Sequence, residues 1–547
     1  MPFKSMFWAR SACLPAAALA LVLFGSGREL FASGQTPAAA PQQTTVPAVP
    51  AIGAGTAQTG PVTRLSADDA VRMALENNLG IQAERLGPQI TTFTLAQARG
   101  AYAPVLFSNF FNRSSTQPPS SFVTGTATNI LTTETITQDG GLAQNVPWGG
   151  GNYSLSLNGG KVTTSAIDSR YNPQLSSNLS ARYVQPLLRN FSIDAFRQQI
   201  MTSQNNQVIA DIDLRQQITV TSQAVRNAYF DLIGAIEGNK VAVESLRLAQ
   251  ESLKNNQTKV EVGTLAPIDI IEAEAEVASN EEAVINAEAR IKTVEDRLRA
   301  MILNPAQPDF WTMRIEPSDA PSLTPIAVDV DAAIANALAQ RTDIAKLKKQ
   351  LDNVDVGIKY AQNQKMPGLD VTANYNVIGV AGTQFQFGQG FPPPIESSSD
   401  RAFSSALRDV FGQDFRTWSV ALNFSYPLGT STADAALATN RLQRQQGAVS
   451  LRDLELQVAT SVRDAARQVD TNLKRVEATR KARDRAERRL EAEQKRMTVG
   501  LSSTFQLFQA QRDLARQRQQ EVNALIDYNR SVIAFEAIQI APSVGGR

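Results

Sequence analysis

The chain contains no histidine and one cysteine, Cys13, in 547 residues. Cys/His nucleophilic triads and the usual histidine- or thiolate-rich zinc sets are therefore excluded, and with them disulfides. Neither sign of charge dominates: 53 basic residues stand against 52 acidic ones, which leaves no electrostatic footprint for nucleic acid. Beyond the N-terminal segment no stretch approaches the ~20 consecutive apolar residues of a membrane-spanning helix. Together these absences count against an enzyme.

What is present begins with an export pattern. Lys4 and Arg10 precede an apolar stretch over 13–25, and Leu30-Phe31-Ala32 offers a small-residue cleavage site. That predicts a secretory signal peptide over 1–32, too short and wrongly flanked for a transmembrane helix. Cys13 lies ahead of the apolar core rather than at its end, which argues against a lipoprotein site. Residues 33–62, rich in Pro, Ala, Thr and Gln, predict a disordered linker, so that the ordered chain begins near Arg64.

The remainder says one thing twice. Residues 65–106 and 328–369 run in parallel at a constant offset, 367 − 104 = 263, without a gap. Ala74 meets Ala337, Ile81 meets Ile344, Ala98 meets Ala361 and Pro104 meets Pro367. An internal duplication makes each half one structural unit. The halves are expected at 63–304 and 328–540, joined by a proline-rich linker over 305–327 and followed by a tail over 541–547.

Each half predicts a short helix, a strand pair split by a polar loop, a very long helix and a return helix. The long helices are expected over 192–260 and 432–498. In the first, Val208, Ile218, Val225, Tyr229, Leu232, Ile236, Val243, Leu246 and Leu253 share the a and d positions of one heptad register. In the second, Leu451, Leu454, Val458, Val462, Ala465, Val469, Leu473 and Val476 step by threes and fours. At 1.5 Å per residue each spans roughly 100 Å, and the shorter helices, over 66–101, 267–304, 328–364 and 502–540, about half that. Two short helices end to end match one long strut, as in the wall of a cylinder.

The strand candidates are 102–112 and 179–185 in the first half, with a further short strand at 152–158 inside the loop 113–177. In the second half they are 369–377 and 417–426, around the loop 378–416. Trp418, Val420, Leu422, Phe424 and Tyr426 face one way, with Ser419, Ala421, Asn423 and Ser425 opposite. Period two with an apolar, aromatic-ended face and a small polar face fits a transmembrane β-strand whose apolar side meets outer-membrane lipid; a half-buried strand of a soluble sheet is the plainer alternative. Four strands cannot close around a pore, and an open edge in hydrocarbon leaves backbone groups unsatisfied, so oligomerisation is required.

Several stretches resemble the TolC-like outer-membrane efflux proteins over almost the whole mature chain. They are the opening LSADDAVRMAL at 65–75, and the junctions Gln185-Pro186-Leu187-Leu188 and Tyr426-Pro427-Leu428-Gly429. The most specific are the two helix turns, Val262-Gly263-Thr264-Leu265 before Asp269 and Glu272, and Val499-Gly500-Leu501-Ser502 before Gln506 and Gln509. The resemblance implies a mainly α protein with a β-barrel part: a homotrimer with a 12-stranded outer-membrane barrel, four strands per chain, above a periplasmic α-helical barrel of antiparallel coiled-coil hairpins. It implies a Gram-negative outer-membrane location, no cofactor, and partners in a periplasmic membrane-fusion adaptor and, through it, an inner-membrane pump. The two turns would be the adaptor-docking tips. Asp269, Glu272, Gln506 and Gln509 would ring the periplasmic aperture, where family members often carry aspartates at the two glutamine positions.

Three functions follow for weighing. The leading one is a passive export duct of a tripartite efflux or type I secretion system. A non-conducting coiled-coil envelope protein is the alternative, against which the strand pairs argue. A hydrolase built on Glu272, Glu274 and Glu276 is the third, although such a run on a helix is usually a solvated face.

Overall fold

The computed structural model describes residues 62–119, 130–320, 323–390 and 394–542. The expected signal peptide, the linker up to residue 61 and residues 543–547 of the tail lie outside them. In chain order the elements are β1 (Val62–Leu65), α1 (Ala67–Asn77), α2 (Leu79–Gly100), β2 (Val105–Gln117), β3 (Leu131–Asn145), β4 (Asn152–Thr164), β5 (Tyr171–Pro186), α3 (Ala195–Glu261) and α4 (Ile268–Ile302). There follow β6 (Arg314–Pro317), α5 (Val330–Gln340), α6 (Thr342–Gln364), β7 (Gly368–Phe387), β8 (Ile395–Arg401), α7 (Phe403–Gly412), β9 (Arg416–Ser425), α8 (Thr432–Thr498) and α9 (Thr504–Ile538).

The helices α3 and α8 have 67 residues each, and their return helices α4 and α9 have 35 each. Side chains start the long helices cleanly. Asp194 accepts the Arg197 amide at the head of α3, and Ser431 forms a capping box with Asp434 at the head of α8. Four helical columns lie side by side: α1, α2 and α4 beside α3, then α5, α6 and α9, then α8. The outermost columns are thus α2 with α4 at one end and α8 at the other.

Several expectations need correction. The helices predicted over 66–101 and 328–364 are each broken, at Asn78 and at Arg341, where ψ turns extended at 121° and 131°. Asn78 caps the second piece by accepting the amides of Gly80 and Ile81. The linker 305–327 contains β6, which pairs parallel with β1. Of the heptad set on α3, Val225, Tyr229 and Leu232 are buried, whereas Val208 and Val243 stay exposed among the described residues.

The largest correction concerns the strands. Among the described residues seven strands form one sheet in the order β2-β3-β4-β5-β7, with β8 and β9 both paired to β7, on its distal and proximal halves. The loop expected over 113–177 is instead filled by β3 and β4, and 378–416 holds the distal part of β7, β8 and α7. The expected four strands per chain, and the count of 12 built on them, do not hold for this sheet. Glycine and small polar residues such as Gly140, Gly141, Ser154 and Ser156 dilute the apolar alternation of β3 and β4, which is why sequence reasoning read them mainly as loop.

The buried core sits where the pieces meet at mid-height of the long helices. Leu65, Ala70, Ala74, Val225, Tyr229, Leu232, Leu298, Ile302 and Ile315 belong to one cluster, with a second cluster of Ala333, Ala337, Ile344, Val458 and Val462 in the other half. Arg299, almost fully buried, donates to the Met313 carbonyl at 2.7 Å and pairs with Glu295, whose carboxylate accepts the Ile315 amide at 2.7 Å. Tyr229 is fully buried; its hydroxyl donates to the Leu65 carbonyl at 3.0 Å and accepts the Asp319 amide at 3.1 Å. Burial pushes that phenol above its ordinary pKa, so it remains a donor.

Tyr229→Phe strands a carbonyl and an amide at once and should cost about 1–3 kcal/mol. Hydrogen exchange at the Asp319 amide measures it. Unchanged protection there would show that the hydroxyl holds nothing.

Candidate functional site

Two features of the chain can do work: the hairpin tips, and the sheet wall at the opposite end of the long helices. At each tip a long helix ends in a Schellman motif. The Thr264 amide donates to the Lys259 carbonyl and the Gly263 amide to Val260, both at 2.9 Å. At the other tip Leu501 donates to Arg496 at 2.9 Å and Gly500 to Met497 at 3.4 Å. The motif needs a left-handed residue past the helix end, and Gly263 and Gly500 supply it at φ +73° and +75°. Added side chains there would meet no neighbour within 4 Å, so it is conformation and not space that selects glycine.

Around the glycines Val262 and Leu501 are 72% and 77% exposed, and Val499 is similarly open. Thr264 is exposed and closes onto the Lys259 carbonyl with its hydroxyl. Leu265 is half-buried, and Ser502 donates its hydroxyl to Glu493 at 2.8 Å. The tips lie side by side because Leu248 of α3 packs on Leu490, Leu507, Ala510 and Leu514, and Gln511 donates to Ser252 at 3.0 Å. At the end of α8, Lys495 hydrogen-bonds Glu491 and holds its carboxyl below the ordinary range.

The four aperture candidates occupy matching places. Asp269 and Glu272 stand one turn apart at the start of α4, and Gln506 and Gln509 one turn apart at the start of α9. Glu272, Gln506 and Gln509 are exposed, and Asp269 is half-buried. The acidic run does not converge: Glu272 and Glu274 are exposed, while Glu276 is taken by Asn280 and lies 3.9 Å from Arg512. Among the described residues no group of acids could hold a metal ion.

The sheet sorts its residues by face. One cross-strand row reads Leu106, Leu142, Leu155, Ala181, Tyr375, Trp418, and the next, on the other face, Phe107, Gly141, Ser156, Ser180, Asn376, Thr417. On the apolar face Tyr153, Tyr183, Tyr375 and Trp418 rim a groove of about 520 Å³ floored by Ala181 and Ala373. Trp418, Val420, Leu422 and Phe424 stand on β9, 65–72% exposed, and Tyr426 follows the strand. The helix α7 rests on this same apolar face: a side chain at Gly379 would strike the Ala406 backbone, and one at Gly159 the Phe403 ring.

A family profile described as outer membrane efflux protein matches residues 152–302 and 333–538. The chain belongs to the outer membrane efflux protein family. Its fold is that of solved TolC-like channels. The Campylobacter jejuni outer membrane channel CmeC matches at 14% identity and TM-score 0.58, over 87% of this chain and 85% of that one. VceC of Vibrio cholerae matches at 13% and 0.60 over 87% and 96%, and the open MtrE channel of Neisseria gonorrhoeae at 16% and 0.58 over 88% and 91%. No curated protein matches the chain.

For an efflux protein the informative surfaces are the ones sequence reasoning missed. On α2, Leu79, Leu86, Ile90 and Phe93 are 53–73% exposed, and on α8, Leu442, Val449 and Leu456 are 65–70% exposed. Steps of seven, with Ile90 four residues beyond Leu86, place each set on one helical stripe. The signal was legible as spacing, but only the structure shows that these stripes have no partner within the chain's described residues.

Proposed function

We propose that this efflux protein is the passive outer-membrane duct of a tripartite efflux or type I secretion system, closed by three copies and built from two repeats. The observation that carries this reading is that the protein ends sideways in two unfinished edges. The column α2 leads into the edge strand β2, and the edge strand β9 leads into α8, so helix and strand edges coincide on each side. Each helix edge carries an exposed heptad stripe, and each strand edge carries open backbone groups.

The internal duplication supplies the register of the join. Within the chain Asn205 of α3 donates to Asn353 of α6 at 2.8 Å. The repeat offset carries Asn353 to Ile90, since 353 − 263 = 90, and the offset between the two tip glycines, 500 − 263 = 237, carries Asn205 to Leu442. Both are stripe residues. The edge α8 of one copy thus repeats toward α2 of the next the contact that α3 makes with α6, and such a head-to-tail join closes into a ring.

In that ring the polar sheet face lines the lumen, and Trp418, Val420, Leu422, Phe424 and Tyr426 meet lipid, with the aromatics at the membrane interfaces. The tips face the periplasm, where Val262, Leu265, Val499 and Leu501 offer apolar contacts to an adaptor hairpin that links the duct to an inner-membrane pump. Asp269, Glu272, Gln506 and Gln509 ring the aperture, which carries less negative charge than an all-aspartate ring.

Purified protein in planar bilayers should give discrete single-channel steps; a structural spacer gives none. Leu422→Arg should cost about 2–4 kcal/mol at the bilayer midplane. Asn423→Arg, on the opposite face, should assemble and change the conductance, and equal destabilisation at both sites would place the strand outside the membrane. At the tips, Val262→Asp with Leu501→Asp should leave trimers intact and abolish adaptor cross-linking. Gly263→Ala should cost about 1 kcal/mol locally through its positive φ, and Gly263→Asn less. Undiminished cross-linking by the double aspartate variant would contradict docking at the tips.

A further inference from the structure

Building on the trimeric duct, we propose that the β3–β4 hairpin is an inserted pair of wall strands, so that the closed barrel has 18 strands and a lumen as wide as the helical tunnel beneath it. Six strand positions lie between the two free edges of the sheet among the described residues: β2, β3, β4, β5, β7 and β9. The hairpin is a full member of the wall. β3 pairs with β2 over 13 residue pairs and with β4 over 13, and β4 pairs with β5 over 11. On β4 the two-faced pattern holds: Tyr153, Leu155 and Leu157 continue the apolar face and Ser154, Ser156 and Asn158 the polar one. On β3 Ile136 and Leu142 continue the apolar face but share it with Glu134, Gln138 and Gln144, while Asp139 lies on the polar one. The ring of Phe107 covers the backbone at Gly141, where a side chain would clash with it.

Perimeter explains what the insertion does. Four helical columns packed ~9 Å apart take up about 36 Å of circumference per copy. Six strands ~4.8 Å apart and tilted ~40° take up about 38 Å, whereas four take up about 25 Å. Six strands match the perimeter of the four helical columns more closely than four do, so the ring need not narrow where helices give way to sheet. Three copies then give a backbone ring about 36 Å across, against about 24 Å for 12 strands. The helix α7 does not narrow it, because α7 packs on the apolar face and so lies outside the lumen. The membrane section therefore sets no size limit on cargo beyond that of the tunnel, and selection by size is left to the periplasmic aperture.

Cysteine pairs test the strand order directly, since Cys13, in the expected signal segment, is the only native cysteine. In native outer membranes, Leu106→Cys with Leu142→Cys and Leu155→Cys with Ala181→Cys should each form a disulfide, as direct cross-strand neighbours. Leu106→Cys with Ala181→Cys should not, because three strand spacings, about 14 Å, separate them. A disulfide in that third pair would place β2 against β5 and overturn the proposal. For width, polymers added on the extracellular side of conducting trimers should enter up to sizes that a 12-strand ring excludes. A cut-off at the 12-strand size overturns the inference while leaving the duct intact; absence of conductance would instead sink the duct reading.

Discussion

Everything in this protein follows from a wall that is not finished. Its sheet ends in two strands whose outer backbone groups have no partner in the chain's described residues, and in hydrocarbon each such group costs several kcal/mol. Its helices end in two stripes of leucine, isoleucine, valine and phenylalanine that water penalises just as steadily. Both kinds of open edge are what the proposed closure into a ring would cover. The two kinds of edge coincide because α2 runs directly into β2 and β9 into α8. In the proposed ring, one join between copies would satisfy the backbone groups of the sheet edges and the apolar groups of the helix edges together.

Given that constraint, the division of labour along the molecule is economical. The waist is where chain segments from several elements are locked, by Tyr229 on β1 and the linker, and by Arg299 and Glu295 on β6. The junction below the sheet is held by Asn363, which accepts the Asn190 amide at 2.7 Å and donates to Ser192, and by Arg197, which gathers the Asn190, Phe191 and Ser192 carbonyls. The tips, by contrast, are bare backbone caps with exposed apolar side chains. The chain is braced at its middle and at the foot of its sheet, while the tips are left open.

How much of this was legible in the residues depended on the period involved. The long helices declared themselves by heptads, and the predicted bounds 432–498 coincide with those of α8. The tips were visible as Val-Gly pairs following a heptad run. The breaks at Asn78 and Arg341 were hidden because the apolar period steps straight across them, from Ala74 to Ile81 and from Ala337 to Ile344. The strand β3 was hidden, and β4 was legible only in part, as the short strand 152–158, for the opposite reason: interspersed serines, threonines and glycines leave too few apolar residues per strand for a period of two to stand out. The open stripes on α2 and α8 follow a seven-residue step like any core seam, and only the fold shows that nothing covers them.

The central claim is that α8 of one copy meets α2 of the next, and one cross-link decides it. With Ile90→Cys and Leu442→Cys in the same chain, oxidation of the assembled protein should give a ladder ending at three covalently joined chains, and neither single variant should. A conducting, correctly folded double variant that stays entirely monomeric on a denaturing gel would contradict the join, and with it the ring.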